Sequence, residues 1–243
     1  MATNTTATVE VLLNKEHCYL IRNCLDHSEQ ITIYNDILHR SNDIDNETKT
    51  RCMNPSPKTI IFNGNQSTLK LVNDGEDNVY TGLIVQTANE ILKRELQQQQ
   101  QQQQTENEQQ SLSKILSDST AAGGKHTSTP TMTIGVIRYE PPNGKFPLHI
   151  DHCNDNTWVY LLSLGCSANF LIRKDDRRNN VDATKQQSSF QFKSGDVLVF
   201  DPSSDAAIVH GVNGINGDEF PLDGPMDFGR FRFGVQCRVR VNK

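Results

Sequence analysis

Polar and apolar residues alternate without interruption near the end of the chain, in the segment GRFRFGVQCRVRV over residues 229–241. Successive side chains of a strand point to opposite faces, so the apolar residues share one face. The four arginines share the other face with Gly234 and Gln236. Two interpretations follow: an edge strand whose arginines are solvated, or a strand whose arginines bind an anion between them.

Short β-rich runs precede this strand from residue 131 onward. Turn-forming Gly, Pro, Asn and Asp residues separate them; the runs are MTIGVIRY, TWVYLLSL, ANFLIR, FQFKSGDVLVF and AAIVHGV. Regular short strands without long intervening helices are typical of a sandwich or jelly roll. The pattern therefore predicts a mainly β fold with a jelly-roll core over residues 131–243. The Ser194-Gly195-Asp196 turn alone fits a plain hairpin.

Residues 1–94 show a mixed pattern. The run NKEHCYLIRNCLDHSEQITIYNDILHR has helical spacing, with Asn14 as a candidate cap and one apolar face formed by Leu20, Ile21, Cys24 and Leu25. KTIIFNG is typical of a short strand, and TGLIVQTANEILKREL of an amphipathic helix. We expect this region to be an α+β extension whose helices pack on the core.

A low-complexity insert separates the two regions, over residues 95–130. It holds a glutamine run followed by Ser, Thr and Gly, with too little apolar surface to offset the entropy of ordering it. The sequence predicts a flexible loop whose first glutamines extend the preceding helix.

Composition narrows the classes of protein. The 243 residues favour one large domain over two small ones, and a net charge of −5 argues against a general polyanion binder. A local basic groove remains compatible with that charge. The six cysteines form no CxxC pair, which favours reduced thiols over disulfides or structural zinc. Nothing resembles a secretory signal or a membrane span, so we expect a cytoplasmic or nuclear protein. We also expect it to be a monomer.

Three residues form a candidate metal site. His149 and Asp151 are two residues apart in FPLHIDHCND, so on an extended segment they project to the same side. His210 ends the strand-like run in SDAAIVHGV. Two imidazoles and one carboxylate are the ligand set of non-haem Fe(II) oxygenases. A solvated loop histidine and a core histidine are the alternatives.

The arginine-bearing strand offers a second kind of site. Arg232 and Arg238 lie on one face, and Gly234 between them leaves room against the backbone. Guanidinium groups bind carboxylates in a fixed two-pronged geometry that lysine does not reproduce. This pattern favours recognition of a dicarboxylate over mere solvation.

These elements occur in one order along the chain: Tyr139, His149-x-Asp151, SGDVLVFDPSSDAAIVHGV, and Arg232-x-Gly-x-Gln-x-Arg238. The order resembles the AlkB-like branch of the Fe(II)/2-oxoglutarate dioxygenases, over roughly residues 131–243. The resemblance implies a double-stranded β-helix that holds iron through His149, Asp151 and His210. It further implies that Arg232 and Tyr139 hold the distal carboxylate of 2-oxoglutarate, with Arg238 nearer its metal-bound end.

The implied reaction uses O2 and oxidatively demethylates an N-methylated substrate, for which nucleic acid is the favoured class. Its products are succinate, CO2 and formaldehyde. The sequence departs from the family pattern at Ile137, where Asn is frequent, at Gly234 and Gln236, where Asn and Thr are usual, and at Cys153, where some members have an acidic residue. Two alternatives stay open: the same chemistry on a protein or small molecule, and a catalytically inactive jelly-roll binding module.

Overall fold

The structure is a computed structural model that describes residues 6–13, 18–45, 58–60, 69–70, 80–101, 132–139, 141–151, 156–175, 187–203, 206–217 and 229–240. In these ranges the strands are β1 Thr8–Val11, β2 Cys18–Arg22, β3 Lys58–Ile60, β4 Leu69–Lys70, β5 Met132–Tyr139, β6 Phe146–Ile150, β7 Thr157–Gly165, β8 Ser167–Lys174, β9 Ser188–Phe192, β10 Val197–Phe200, β11 Ile208–Asn216 and β12 Arg232–Arg240. The helices are α1 His27–Asp45 and α2 Thr87–Gln101, the latter preceded by a π-helical segment, Thr81–Gln86.

The strands form two antiparallel sheets that face each other. One is eight-stranded with the order β1-β2-β10-β7-β12-β5-β3, and β4 also pairs with β5; the other is four-stranded with the order β6-β11-β8-β9. Consecutive strands repeatedly change sheet, which is the connectivity expected of a jelly roll. The predicted mainly β, jelly-roll fold class is confirmed.

The eight-stranded sheet is buried on both faces. Its inner face packs on the four-stranded sheet through residues such as Leu198 and Phe170. Its outer face packs on α1 and α2 through residues such as Val235 and Leu92. β12 lies between β5 and β7, so the edge-strand interpretation of the arginine-bearing segment is wrong.

The predicted helix near the N-terminus begins later than its pattern suggested. Cys18–Arg22 forms β2, which pairs with β1 and β10; periodicity alone cannot distinguish a short apolar strand buried on both faces from a helix segment. A capping box starts α1: the Glu29 amide donates to Asp26 Oδ1 at 2.9 Å, and the Asp26 amide to Glu29 Oε2 at 2.8 Å. The candidate cap Asn14 lies outside the described residues.

The Ser194-Gly195-Asp196 turn does not form a plain hairpin, because it connects β9 of one sheet to β10 of the other. Gly195 has a φ of +85°. A Cβ there would lie 2.5 Å from Gln30 Nε2 and 2.7 Å from the Leu25 carbonyl oxygen. The turn therefore requires glycine, and it contacts the segment that leads into α1.

Asp196 attaches the N-terminal segment to this turn. Its buried carboxylate accepts hydrogen bonds from Arg22 Nη1 at 2.8 Å and from the backbone amides of Asn23 and Lys193 at 3.0 Å. Burial raises the pKa of Asp196 more than these donors lower it. The N-terminal region thus pairs with the core sheet as well as packing on it.

The first glutamines, Gln97 to Gln101, continue α2 as expected. The rest of the insert, like strand residues 61–64 of the predicted KTIIFNG segment, lies outside the described residues. The division into residues 1–94, 95–130 and 131–243 stays a prediction. None of the described helices is long and apolar enough to cross a membrane.

Candidate active site

A cavity of about 300 Å³ opens between the two sheets, enough for a small organic ligand. All six residues singled out from the sequence line it: Tyr139, His149, Asp151, His210, Arg232 and Arg238. Its remaining wall includes apolar side chains of both sheets, among them Ile137, Phe146, Leu161, Phe170 and Val212. Residues that are far apart in sequence are therefore brought to one place.

The candidate metal ligands come from neighbouring strands of the four-stranded sheet. His149 on β6 is the register partner of His210 on β11, and Asp151 follows the last residue of β6. Asp151 Oδ1 lies 3.6 Å from His149 Nε2, and Oδ2 lies 4.0 Å from His210 Nε2. One donor atom from each residue lies within 4.8 Å of the others, so the three groups converge on one point.

A register shift between β6 and β11 shapes this corner. A Cβ on Gly211 would lie 2.8 Å from the Phe146 carbonyl oxygen and 3.0 Å from the Leu148 amide nitrogen. A side chain at that position would push the two strands apart. The glycine that follows His210 thus lets the ligand-bearing strands approach each other.

The backbone of the same bulge orients His149. Its Nδ1 lies 2.9 Å from the Pro147 carbonyl oxygen, and a carbonyl can only accept a hydrogen bond. Nδ1 therefore faces the backbone as a donor, and Nε2 is turned toward Asp151. Metal-binding histidines are commonly oriented in this way.

Asp151 is held at both carboxylate oxygens by residues of β12. Gln236 Nε2 donates to Oδ2 at 2.6 Å, and Arg238 Nη2 donates to Oδ1 at 3.0 Å. Burial by itself would raise the pKa of this carboxyl. The His149 hydrogen bond and the charges of His210, Arg238 and His149 outweigh burial and lower the pKa to about 2. Asp151 is therefore ionised at neutral pH.

His210 is almost fully buried between aromatic rings. Its ring centroid lies 4.9 Å from that of Phe200 and 6.0 Å from that of Phe170. Burial lowers the pKa of His210 to about 4, although the Asp151 charge acts in the opposite direction. The imidazole is thus neutral at pH 7, the form that binds metals.

Arg232 lines the cavity and is 1% exposed. Its guanidinium carbon lies 4.9 Å from the Tyr139 ring centroid and 5.5 Å from that of Phe192. Among the described residues, none of its three side-chain nitrogens makes a hydrogen bond of good geometry, and the Tyr139 hydroxyl is a polar group that interacts with it. Burial lowers the Arg232 pKa, and burial also raises that of Tyr139. Since buried charges are normally paired, Arg232 is a candidate anion-binding group.

Gly234 leaves space beside the Arg232 guanidinium. A Cβ at this position would lie 3.2 Å from Arg232 Nη1 and 3.5 Å from Tyr139 Cε2. The departure from the usual Asn thus keeps this wall open. Ile137, the other departure, is an apolar part of the wall, whereas Cys153 lies outside the described residues.

Sequence reasoning assigned no role to Gln236 or to the Pro147 carbonyl. Gln236 could have been found from its position, since it shares the arginine-bearing face two residues before Arg238. The Pro147 contact depends on a bulge, which no periodic pattern indicates.

Comparison with known proteins adds to this geometry. The family model of the 2OG-Fe(II) oxygenase superfamily matches residues 17–238, and no curated protein matches the chain. The fold is similar to the solved structure of OsALKBH1, at 19% identity and TM-score 0.50, over 97% of this chain and 100% of that chain. It is also similar to a prolyl-4-hydroxylase of Pseudomonas putida, at 11% identity and TM-score 0.46, over 95% of each chain.

Proposed function

The chain belongs to the 2OG-Fe(II) oxygenase superfamily, and from that premise we propose that it oxidatively demethylates N-methylated nucleic acid. Members of this superfamily are dioxygenases that use Fe(II), 2-oxoglutarate and O2. The proposal concerns which residues bind these reactants and which substrate is oxidised.

The donor set fits iron. Two imidazoles and one carboxylate form the facial ligand set of non-haem Fe(II) oxygenases, which leaves coordination positions free for other reactants. His149, Asp151 and His210 supply these groups, with one donor atom each within 4.8 Å of the others. We assign them as the iron ligands.

The buried, unpaired Arg232 is the observation that carries the proposal. A carboxylate bound to it would supply the missing hydrogen bonds and neutralise the buried charge. Arg232 and Asp151 lie in the same cavity, and 2-oxoglutarate has a carboxylate at each end. We therefore assign Arg232, with Tyr139 beside it, to the distal carboxylate, and Arg238 to the end nearer the iron.

Bound iron would supply the site at which O2 oxidises 2-oxoglutarate to succinate and CO2, with one oxygen atom entering succinate and the other entering a substrate C–H bond. On an N-methyl group, the resulting N–CH2OH group releases formaldehyde and leaves N–H. The chain's own residues hold the reactants in place, and apolar side chains such as Leu161 and Val212 exclude water from the cavity.

The substrate assignment is supported by the order of motifs, which resembles the AlkB-like branch from Tyr139 to Arg238. The fold likeness to OsALKBH1 is in keeping with it. A base within a duplex would have to leave the stack to reach the cavity. Methylated single-stranded nucleic acids are therefore the substrates to test first.

Succinate formation tests the enzyme assignment. Purified protein with Fe(II) and 2-oxoglutarate should form succinate, and His149→Ala should abolish it. Arg232→Ala should weaken 2-oxoglutarate binding by roughly 10- to 100-fold, because charged hydrogen bonds are lost. Arg240→Ala is the matched control, since Arg240 is exposed on the same strand. Equal succinate formation by the Arg232 and Arg240 variants would refute the assignment.

Formaldehyde release tests the substrate. Methylated single-stranded oligonucleotides should release formaldehyde, whereas methylated peptides of equal concentration should not. Release from peptides alone would assign the same chemistry to a protein substrate. Absence of release from every methylated oligonucleotide would overturn the nucleic-acid proposal and leave the dioxygenase assignment intact.

A further inference from the structure

We propose that Gln236 is a positioning residue that fixes the orientation of the Asp151 carboxylate for iron. The inference rests on the proposed iron site, and it assigns a role to a residue at which this chain departs from the family pattern. The direct observation is the hydrogen bond of 2.6 Å from Gln236 Nε2 to Asp151 Oδ2.

Gln236 is well placed to act as a fixed support. It lies in the middle of the eight-stranded sheet, where its backbone pairs with Gly135 on β5 and Leu161 on β7. Asp151 instead follows β6 of the four-stranded sheet. The contact therefore ties a ligand on one sheet to a strand held on both sides in the other.

Two donors share the carboxylate, one at each oxygen. Arg238 binds Oδ1, the oxygen nearer to His149, and Gln236 binds Oδ2, the oxygen nearer to His210. A carboxylate held at both oxygens cannot rotate freely about its bond to Cβ. The orientation of the carboxylate, with one oxygen toward each imidazole, is thereby fixed before metal binds.

The two donors differ in charge, which separates their roles. The Arg238 guanidinium is a cation and repels a metal cation at the same carboxylate. The Gln236 carboxamide is neutral, so it orients Asp151 without that electrostatic cost. Groups that orient a metal ligand typically contribute 10- to 100-fold to metal affinity. We expect Gln236 to contribute within that range.

Metal affinity without cosubstrate or oxygen provides the test. Mn(II) replaces Fe(II) as the probe, and free Mn(II) is measured by electron paramagnetic resonance. Gln236→Leu should bind Mn(II) roughly 10- to 100-fold more weakly than the unaltered chain. Gln236→Met, which retains the side-chain length and lacks the donor, should show the same loss.

Gln191→Leu is the matched control. Gln191 is also partly buried and hydrogen-bonded, to Asn169 and Asn216 on the four-stranded sheet, but it does not line the cavity. This variant should retain Mn(II) affinity even if its melting temperature falls. Loss of affinity in the Gln236 variants but not in Gln191→Leu therefore supports positioning over general destabilisation.

Two failures are distinguishable. If the unaltered chain and His149→Ala bind Mn(II) equally, the proposed iron site is wrong. If the unaltered chain binds Mn(II) and both Gln236 variants bind it as tightly as Gln191→Leu does, only the role of Gln236 is refuted. If Gln236→Leu does not fold, Gln236→Met decides by the same comparison.

Discussion

Three arginines of β12 lie on one face of the strand but in different environments. Arg232 is buried without a well-formed hydrogen bond among the described residues, Arg238 binds Asp151, and Arg240 at the end of the strand is exposed. The alternating pattern correctly placed them on one face. It could not reveal their depth, because depth depends on which elements cover each part of the strand.

The unpaired charge of Arg232 predicts a conflict between stability and function. Replacing a buried ion pair with apolar side chains of similar volume is often neutral or stabilising by about 1–4 kcal/mol, and a buried cation that lacks a paired anion has less favourable interaction energy to lose. Arg232→Met should therefore raise the melting temperature of the ligand-free protein while removing 2-oxoglutarate binding. Arg240→Met should change stability by less than about 0.5 kcal/mol. A lower melting temperature for Arg232→Met, measured by differential scanning calorimetry, would contradict this expectation.

Buried thiols give a second prediction for single residues. Burial raises the pKa of Cys18, Cys24 and Cys237 well above the ordinary value, and the thiolate is the reactive form. These cysteines should resist iodoacetamide at pH 8 in the native protein and react fully in denaturant. Peptide mass spectrometry measures both states. Rapid native labelling of any of the three would show that the core opens there.

At the scale of elements, the strands from residue 132 onward were predictable because turn residues separate them and their periods are clear. β2 was not, since its alternate side chains enter two different cores: Leu20 faces the four-stranded sheet and Ile21 faces the helices. The Asp26/Glu29 capping box was a local signal for the true start of α1. Sequence alone could not assign β9 and β10 to different sheets, because long-range pairing decides it.

The turn at Gly195 gives a prediction for these elements. Gly195→Ala would combine a left-handed backbone with contacts at 2.5 and 2.7 Å, so it should destabilise the fold by about 1–3 kcal/mol. Gly82→Ala is the control, because nothing lies within 4 Å of the position that its methyl group would occupy. Alanine there should stabilise the π-helical segment Thr81–Gln86 by about 0.4–1 kcal/mol. Urea unfolding measures both. Equal effects of the two substitutions would contradict the geometry.

At the scale of the whole molecule, one hydrophobic cluster contains residues from both the N-terminal and the C-terminal regions of the chain. The cluster on the outer face of the large sheet includes Tyr34 of α1, Leu92 of α2 and Val235 of β12. Tyr34 and Phe233 form an edge-to-face pair with ring centroids 5.6 Å apart. The predicted packing of the N-terminal helices is thus observed. The pairing of β2 with β10 goes beyond what their local sequences indicated.

This shared core predicts the behaviour of a fragment. Residues 131–243 expressed alone would expose the β10 edge that pairs with β2 and the apolar face that α1 and α2 cover. Exposed edges and apolar faces promote association. The fragment should bind the dye ANS and lose its near-UV circular dichroism, unlike the full chain. A fragment with native-like near-UV dichroism would show that the N-terminal region is dispensable for folding.

The attachment of Asp151 to β12 has a mechanical consequence. Within the described part of the chain, β6 pairs with β11 alone, so few backbone hydrogen bonds retain this strand against a pulling force. The hydrogen bonds from Gln236 and Arg238 to Asp151 attach the end of β6 to β12 of the opposite sheet. A force that separates the two sheets should break these two hydrogen bonds early, so the proposed iron site would come apart before the rest of the fold.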